Sequence, residues 1–326
     1  MNAFGLIVYI AVLGMAIADY QNPTILNNVP DPGVHYDRAS DQYYVVTTSS
    51  LAGIRDQGNF PIHTSKNLAN WTHTGYAFPK SANPKWGVLN YWAPEIHTIT
   101  PGLHHLYFTA RDANNVLCIG VATAKNLLGP YKDAIGKPLV YNAEMGYIDA
   151  TIMRNKKDIY LVWKSDGNAV GKRTPIWSAK LNADGFSFAE PFKPVQLLTN
   201  DLQWEGPLVE APWHLYKEPY HYIFYSANAF HGNLYAVGVA RSKQPEGPYE
   251  KHLKPILTSN EKWSGPGHCS VVTTRQGKYV MVYHAWPKNT FNLGRNMLVD
   301  EMFWDESNWP YFKSDAPSWK PKPIPL

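Results

Sequence analysis

Five short stretches of the sequence each place one acid or histidine among apolar or turn-forming residues, at intervals of 64, 54, 61 and 58 residues. They are VPDPGV with Asp31, YWAPEI with Glu95, YIDATI with Asp149, LVEAPW with Glu210 and GPGHCS with His268. Carboxyl groups that share a half-buried place push their pKa values apart, so that one stays protonated while another is ionised. Cleavage of a glycosidic bond needs that combination, because one acid protonates the leaving oxygen and another activates water or attacks the sugar.

Each stretch also has a plainer interpretation. Asp31 stands between Pro30 and Pro32, and a Pro-Asp-Pro-Gly string is typical of a surface turn that needs no function to explain it. Acids on inner strands can also tie neighbouring elements together through hydrogen bonds to backbone and hydroxyl groups. Three acids in the same phase of one repeat favour a functional site over both alternatives.

The elements that must position these residues are short strands that repeat along the chain. YYVVTTSS, LYFTARD, IYLVWKSD, YIFYSANA and YVMVYHAW begin 63, 53, 63 and 57 residues apart, and a second strand-like run follows in four of the five units. Units of this length with several strands each are typical of propeller blades. The pattern predicts an all-β fold, a five-bladed β-propeller with four-stranded antiparallel blades around a central channel. Unrelated hairpins in a sandwich are the alternative, which the matched order and the repeated GPY turns disfavour.

In a propeller the first strand of each blade lines the channel. We therefore expect the five side chains Asp31, Glu95, Asp149, Glu210 and His268 to converge at one end of the axis. The flanking apolar residues indicate a half-buried place, in which unpaired charges are rare.

Composition restricts the classes of function. Aromatic residues make up 14% of the 326 residues, charged residues 17%, and a net charge of +4 is scattered rather than gathered in a basic stripe. The chain is therefore expected to be globular and to have no nucleic-acid partner. A monomer is expected as well, although composition does not bear on the oligomeric state. Its two cysteines, Cys118 and Cys269, do not make a disulfide framework, and buried free thiols are at least as good an interpretation as a pair.

The ends of the chain suggest processing and a tail. The apolar run FGLIVYIAVLGMAIA at 4–18 predicts a signal peptide over residues 1–18 with cleavage before Asp19, although the absence of a basic residue ahead of it leaves an uncleaved anchor as the alternative. The mature protein is then secreted and extracellular, with no membrane contact. We expect the propeller over 19–312 and a Pro-rich tail over 313–326 that packs on the last blade. Asn70, in NWT, is a glycosylation acceptor in a eukaryotic secretory pathway.

Several motifs, in order and in blade phase, resemble glycoside hydrolase family 43, whose members are five-bladed propellers that act on arabinose- and xylose-containing plant polysaccharides. The resemblance runs from about Asn22 to Pro310, and the motifs that carry it are NP, PDPGV, YWAPEI, YIDAT, VEAP, GPGH and GRNMLVDEMFWDESNWP. It implies hydrolysis with inversion, in which Asp31 is the general base, Glu210 the general acid, and Asp149 the acid that orients Glu210 and raises its pKa. No cofactor is implied for the chemistry itself.

The resemblance also implies a set of substrate-binding residues. Arg295 matches an arginine that reaches the pocket, where it would favour ionised Asp31 or bind a sugar hydroxyl. His268 is similar to a channel histidine of arabinan-active members that lies near a hydrated metal ion, often calcium, although a lone histidine is more often a hydrogen-bonded core residue. Tyr91, Trp92 and Glu95 would shape the sugar subsite, with a blade-packing role as the alternative for Trp92.

The same motifs bear on the substrate. The related sucrose and fructan hydrolases carry Arg-Asp-Pro in the third blade, whereas this chain has Ile148-Asp149-Ala150. VEAP and GPGH look more like the arabinan-directed members, so we expect release of α-L-arabinofuranosyl units. A β-xylosidase of the same family and a non-catalytic sugar-binding propeller are the alternatives.

Overall fold

The computed structural model describes residues 19–26, 28–49, 58–80 and 82–325, which form five four-stranded antiparallel sheets and one two-stranded sheet. Short runs of β-branched and aromatic residues form the strands, and Gly, Pro, Asn and Asp between them form the turns. Two short 3-10 helices, Gly167–Val170 and Gln203–Glu205, lie between strands. The strands in chain order are β1 (Asp19–Tyr20); β2 (Gly33–Asp37), β3 (Gln42–Val46), β4 (Gly58–Ser65) and β5 (Thr72–Pro79) of blade 1; β6 (Gly87–Thr100), β7 (Leu103–Asp112), β8 (Leu117–Ala124) and β9 (Lys132–Asp133) of blade 2; β10 (Tyr147–Asn155), β11 (Asp158–Ser165), β12 (Ile176–Leu181) and β13 (Val195–Leu198) of blade 3; β14 (Val209–Lys217), β15 (Tyr220–Ala227), β16 (Ala236–Ser242) and β17 (Glu250–Lys251) of blade 4; β18 (Trp263–Thr273), β19 (Tyr279–Pro287), β20 (Asn296–Trp304) and β21 (Pro310–Tyr311) of blade 5; and β22 (Lys322–Pro323).

The five blades form a closed ring. Their first strands β2, β6, β10, β14 and β18 each contact the first strand of the next blade, and β18 contacts β2. The prediction of a five-bladed β-propeller is therefore confirmed. The two repeated runs seen in the sequence are the second and third strands of the blades, and the first strands surround the channel.

The hydrophobic core consists of five clusters, each between two neighbouring blades. Between blades 1 and 2, for example, the rings of Phe60 and Phe78 lie 5.5 and 5.2 Å from the ring of Phe108, and all three side chains are fully buried. Cys118 and Cys269 are both buried and unpaired, so the free-thiol interpretation is confirmed. Packing between blades, rather than a disulfide, holds the ring together.

The segment that precedes blade 1 closes the ring by lying along blade 5. The Asn22 side chain imitates a strand, because its oxygen accepts the N–H of Val299 at 2.9 Å and its amide donates to the Val299 carbonyl at 3.0 Å. Ile25 then forms an antiparallel bridge with Met297, and β1 pairs with β22. Both ends of the described chain are thereby fixed to the last blade.

The remaining expectations about the ends concern the leader and the tail. The expected signal peptide, residues 1–18, lies outside the described residues. The Pro-rich tail contacts blade 5 where the backbone N–H of Ser318 donates to Asp300 at 3.2 Å, and it ends by pairing with β1. Asn70 is exposed in the turn that follows β4. Across the described ranges, no helix combines the length and the apolar character that crossing a membrane requires.

Candidate active site

A cavity of about 630 Å³ lies where the first strands of all five blades come together. Six of the residues expected from the sequence to form the site line it: Asp31, Trp92, Asp149, Glu210, His268 and Arg295. The structure therefore brings together the three acids of the expected catalytic set. The other two expected residues, Tyr91 and Glu95, lie elsewhere.

A repeated backbone irregularity positions these side chains. One residue per blade, in the first strand or just before it, has a positive φ, namely Asp31 (55°), Ala93 (46°), Asp149 (58°), Ala211 (54°) and His268 (46°). In blades 2 to 5 the pairing register with the second strand shifts at this residue, as in a β-bulge, and Asp31 has the equivalent place two residues before β2, so we call all five positions bulges. A bulge redirects side chains that strict strand alternation would send to opposite faces.

The positions of the bulges correct the alignment of Asp31, Glu95, Asp149, Glu210 and His268 that the sequence repeat indicated. Glu210 stands one residue before the shared position, which Ala211 occupies, and Glu95 stands two residues after it. Residues directly before the bulge also face the cavity, since Trp92, Ile148 and Glu210 all line it. Asp31, Asp149 and His268 are thus structurally equivalent, Glu210 reaches the cavity from a neighbouring position, and Glu95 does not reach it.

Glu95 and Tyr91 have structural contacts instead. Glu95 is buried below the cavity, with its Oε2 2.7 Å from Nε2 of His97. Burial raises the pKa of Glu95 and lowers that of His97, so the two share a hydrogen bond as neutral groups. Tyr91 is buried against Phe60, and its hydroxyl donates to the carbonyl of Gly87 at 2.6 Å.

Each bulge is tied to the neighbouring blade through its backbone N–H. In four of the five cases the acceptor is a side chain on, or just after, the second strand of the preceding blade. Burial and the nearby Arg295 lower the pKa of His284 to about 3, so that its neutral ring can serve as one of these acceptors. The four bonds are Ala93 to Thr48 at 2.8 Å, Asp149 to Thr109 at 3.2 Å, His268 to Ser226 at 2.8 Å, and Asp31 to His284 at 3.1 Å.

The fifth bulge is the exception. The corresponding second-strand residue of blade 3 is Lys164, whose ammonium has no lone pair with which to accept a hydrogen bond. The N–H of Ala211 instead donates to Oδ2 of Asp149 at 3.0 Å. Asp149 is thereby bonded to the residue next to Glu210, and it can fix where that side chain starts.

Asp31 is surrounded by donors and positive charge. The Thr48 hydroxyl donates to its Oδ2 at 2.6 Å, and Nη1 of Arg295 donates to its Oδ1 at 2.7 Å. Nδ1 of His268 and Nδ1 of His284 lie 3.3 and 3.2 Å from Oδ1. Burial raises the pKa of Asp31, but the nearby Arg295 and His268 outweigh burial and hold the pKa well below its ordinary value. Asp31 is ionised at neutral pH, as a general base must be.

The environment of Asp149 has the opposite effect. Burial, together with the negative charges of Glu210 and Asp31, raises the pKa of Asp149 to about 6, against the lowering effect of His268 and Lys164. The carboxyl of Asp149 can therefore retain a proton at a pH at which Asp31 has none.

Glu210 has one donor on each carboxyl oxygen. The Tyr235 hydroxyl donates to Oε1 at 2.7 Å, and Nζ of Lys164 donates to Oε2 at 3.2 Å. Burial and the nearby Glu210 raise the pKa of Tyr235 well above its ordinary value, so the phenol keeps its proton. Lys164 and Tyr235 were not expected from the sequence as site residues, and neither were Thr48 and His284.

The residues around His268 do not fit a calcium site. Its Nδ1 lies 3.3 Å from Oδ1 of Asp31, which leaves Nε2 as the one nitrogen of this ring that could reach a metal ion. Among the described residues, no group of three or more His, Cys, Asp or Glu side chains is arranged to hold a metal ion. Calcium prefers six to eight oxygen ligands. We therefore assign no step to a metal.

An aromatic wall, formed by Phe230, Trp286 and Phe291 of blades 4 and 5, completes the cavity. The Arg295 guanidinium lies 4.8 Å from the centre of the Phe230 ring. Trp92 lines the cavity from blade 2. Such apolar faces suit the C–H faces of a sugar, while the acids suit its hydroxyls.

Comparisons with known proteins give a family model, sequence relatives and solved structures that match this chain. The family model described as "Glycosyl hydrolases family 43" matches residues 20–310. The chain is 27% identical over 311 residues to the extracellular exo-α-(1→5)-L-arabinofuranosidase ArbA of Cellvibrio japonicus (strain Ueda107), with 84% of this chain and 83% of the relative covered. It is 28% identical over 307 residues to the β-D-galactofuranosidase xynD of Aspergillus niger (strain ATCC MYA-4892 / CBS 513.88 / FGSC A1513), with 88% and 82% covered. Further relatives at 25 to 27% identity carry the names of xylosidases and of an endo-arabinanase.

Among solved structures, the fold matches the crystal structure of a thermostable family-43 glycoside hydrolase. The TM-score is 0.83 at 27% sequence identity, and the match covers 94% of this chain and 99% of that one. The whole propeller, rather than a few blades, is shared.

Proposed function

The chain belongs to glycosyl hydrolase family 43, a family of glycosidases, and on that basis we propose that it is an inverting glycoside hydrolase that releases α-L-arabinofuranosyl units from arabinan or other arabinose-containing plant polysaccharides. Asp31 is the general base, Glu210 the general acid and Asp149 a positioning residue. Trp92, His268 and Arg295 complete the sugar site.

In the proposed reaction, Asp31 removes a proton from a water molecule as the water oxygen forms a bond to the anomeric carbon. The bond between that carbon and the glycosidic oxygen breaks on the opposite side, and Glu210 gives its proton to the departing oxygen. Configuration inverts because attack and departure are on opposite faces. Asp31 is left protonated and Glu210 ionised, and exchange of one proton with solvent restores both.

One observation carries the assignment of the base. Within one cavity, the nearby Arg295 holds the pKa of Asp31 well below its ordinary value, so Asp31 is the ionised carboxylate that a general base must be. Asp149 accepts the N–H of the residue that follows Glu210, which supports a positioning role for Asp149 and leaves Glu210, the remaining carboxyl of the three, as the acid.

The choice of sugar rests on similarity. The relative named as an exo-arabinofuranosidase is of similar length, and the motifs around Glu210 and His268 look like those of arabinan-directed members. Relatives named as xylosidases support β-xylosidase activity as the second candidate. We also propose that the protein is secreted after loss of residues 1–18 and meets its polysaccharide outside the cell as a monomer.

Activity and product stereochemistry test the proposal. The purified protein is assayed on linear arabinan, on an aryl α-L-arabinofuranoside and on an aryl β-D-xylopyranoside, and NMR follows the anomer released first. We expect arabinose of inverted configuration. Asp31→Asn and Glu210→Gln should each lower kcat/KM on arabinan by at least about 100-fold, the smaller end of what general acid or base catalysis contributes.

The exposed acid Glu261 offers a matched control, because it lies outside the cavity lining. Glu261→Gln should leave kcat/KM unchanged. If Asp31→Asn and Glu210→Gln fold normally and turn over arabinan as fast as this control, the protein is a sugar-binding propeller rather than a hydrolase. Faster release of xylose than of arabinose would show that the protein is a β-xylosidase, the second candidate.

A further inference from the structure

The proposed reaction leaves Lys164 unexplained. Its side chain is 1% exposed, and its ammonium lies 3.0 Å from Oδ1 of Asp166 and 3.2 Å from Oε2 of Glu210. Lysine is among the residues that are most rarely buried. Burial lowers the pKa of Lys164, but Glu210, Asp166 and Asp149 outweigh it and raise the pKa above its ordinary value, so the ammonium stays charged.

The fold does not require a lysine at this position. The equivalent residues of the other four blades are Thr48, Thr109, Ser226 and His284, and each accepts the bulge N–H of the next blade. Lys164 cannot accept, so blade 3 lacks this contact, and the N–H of Ala211 depends on Asp149 instead. A serine or threonine at this position would supply the hydrogen-bond acceptor that the other four blades have. The lysine has to be explained by what lies beside it, which is the carboxyl of Glu210.

The two oxygens of Glu210 face chemically different partners. Oε2 lies against an ammonium, which only donates and whose positive charge repels an added proton. Oε1 lies against the neutral hydroxyl of Tyr235, which can accept a hydrogen bond as well as donate one. Of the two oxygens, Oε1 is therefore the one that is protonated at the lower cost in free energy.

We propose, on the premise that Glu210 is the general acid of the proposed function, that Lys164 is a positioning residue that selects Oε1 of Glu210 as the oxygen that carries and transfers the proton. Lys164 occupies Oε2 throughout the cycle. The proton moves from Oε1 to the glycosidic oxygen, and the carboxylate that remains has a donor on each oxygen, Tyr235 on Oε1 and Lys164 on Oε2. Asp166 balances the lysine charge while the proton is in place.

Lys164→Thr tests this assignment, because threonine is what blades 1 and 2 have at the equivalent positions. Two readouts separate positioning from packing. The first is the alkaline limb of the pH profile of kcat/KM, which should move to higher pH by about one unit or more once the neighbouring positive charge is gone. The second compares an aryl arabinofuranoside with a good leaving group, which needs no proton, with an arabino-oligosaccharide, which does.

The expected result is selective. The rate on the oligosaccharide should fall by at least about ten-fold, a part of the ~10²- to 10⁴-fold that proton donation supplies, while the rate on the activated aryl glycoside changes little. Lys164→Arg, which keeps a donor that cannot accept, should keep the wild-type limb and most of the oligosaccharide rate. Lys180→Thr, at an ion-paired lysine on β12 of the same blade, is the control and should change neither readout.

Other outcomes would contradict the proposal. If a folded Lys164→Thr protein loses the same factor on both substrates, or keeps the wild-type limb, the lysine only packs the blade. If Lys164→Thr does not fold, Lys164→Gln, which is one atom shorter than lysine, keeps a donor and removes the charge, is measured in the same way and judged by the same criteria. Glu210→Gln on the same substrates separates the two hypotheses: full oligosaccharide activity there refutes the proposed function, whereas loss there with an unmoved limb in Lys164→Thr refutes only the role of Lys164.

Discussion

The carboxylate of Asp149 accepts the backbone N–H of Ala211, the residue that follows Glu210, across 3.0 Å. This bond replaces the side-chain contact that ties the other four bulges to their neighbours. It joins blade 3 to blade 4 at the point where the proposed general acid leaves the backbone. Asp149 can therefore act on Glu210 through both geometry and charge, and the two effects can be measured separately.

The variants Asp149→Asn and Asp149→Ala separate the effect of geometry on Glu210 from the effect of charge. The asparagine keeps an oxygen that can accept the N–H of Ala211 and removes only the charge, whereas alanine removes both. We expect Asp149→Ala to lower kcat on arabinan by about 100-fold, the loss that a displacement of about 1 Å can cause, and Asp149→Asn to lower it less. Equal losses in the two variants would mean that the bond to Ala211 has no part in catalysis.

Arg295 should control the acidic side of the pH profile. It donates to Asp31 at 2.7 Å and lowers the pKa of that base. The base must be ionised, so activity is lost as pH falls through its pKa, and Arg295→Met should move the acidic limb of kcat/KM to higher pH by about 1–3 units. Arg275, half exposed and paired with Asp41 at 2.9 Å, is the matched control. An equal shift in Arg275→Met would show that overall charge, not the contact, sets the limb.

Buried neutral histidines should make the fold sensitive to acid. Burial, with the nearby His221 and Arg154, lowers the pKa of His214 from 6.5 to about 3. The unfolded chain binds the proton more readily, so the free energy of unfolding falls as pH drops below 6.5, by on the order of 2 kcal/mol for this group between pH 7 and pH 5. Urea titrations at both pH values should show a smaller difference for His214→Gln than for the wild type. The same change at the exposed His231 should leave the difference as it is.

Closure of the ring should depend on Asn22. Its buried side chain bonds to the backbone of Val299 on both sides and donates to Asp300 at 3.1 Å. Asn22→Ala leaves these buried groups without partners and should lower the free energy of unfolding by about 2–3 kcal/mol. Gln21 is exposed and makes one bond, to the carbonyl of Trp319, so Gln21→Ala should stay within about 0.5 kcal/mol of the wild type. Urea unfolding at pH 7 checks both, and similar values for the two variants would argue against a special role of Asn22.

The propeller could be predicted from the sequence because its strands repeat. The second and third strands of the blades contain mostly buried runs rich in Val, Ile, Tyr and Phe, which stand out against the turns that separate them. The closure was not predicted, since it depends on one asparagine side chain that imitates a strand. No pattern of hydrophobic residues marks such a contact.

The site could be predicted in part. Asp31 and Asp149 were placed correctly in the repeat because they are the bulge residues themselves. Glu95 and Glu210 were aligned as equivalent acids, although Glu210 stands one residue before its bulge and Glu95 two residues after its own, so that only Glu210 lines the cavity. Aligning the shared Ala-Pro pairs, Ala93 with Ala211, would have matched Glu210 to Trp92 and excluded Glu95. Lys164 was missed because it lies in a repeated strand where only comparison with the other four blades shows that it is unusual.

Asp31 and Arg295 are 264 residues apart in the chain, and the ring brings them together only when its last blade meets its first. A ribosome that has translated as far as Glu210 has already made all three acids, yet Asp31 still lacks its guanidinium partner. The proposed base acquires its charge environment only after the fifth blade has been synthesised and has docked. A prematurely terminated product would therefore contain the three proposed catalytic acids without their arrangement in the closed ring, and activity in a cell extract would report full-length, closed molecules alone.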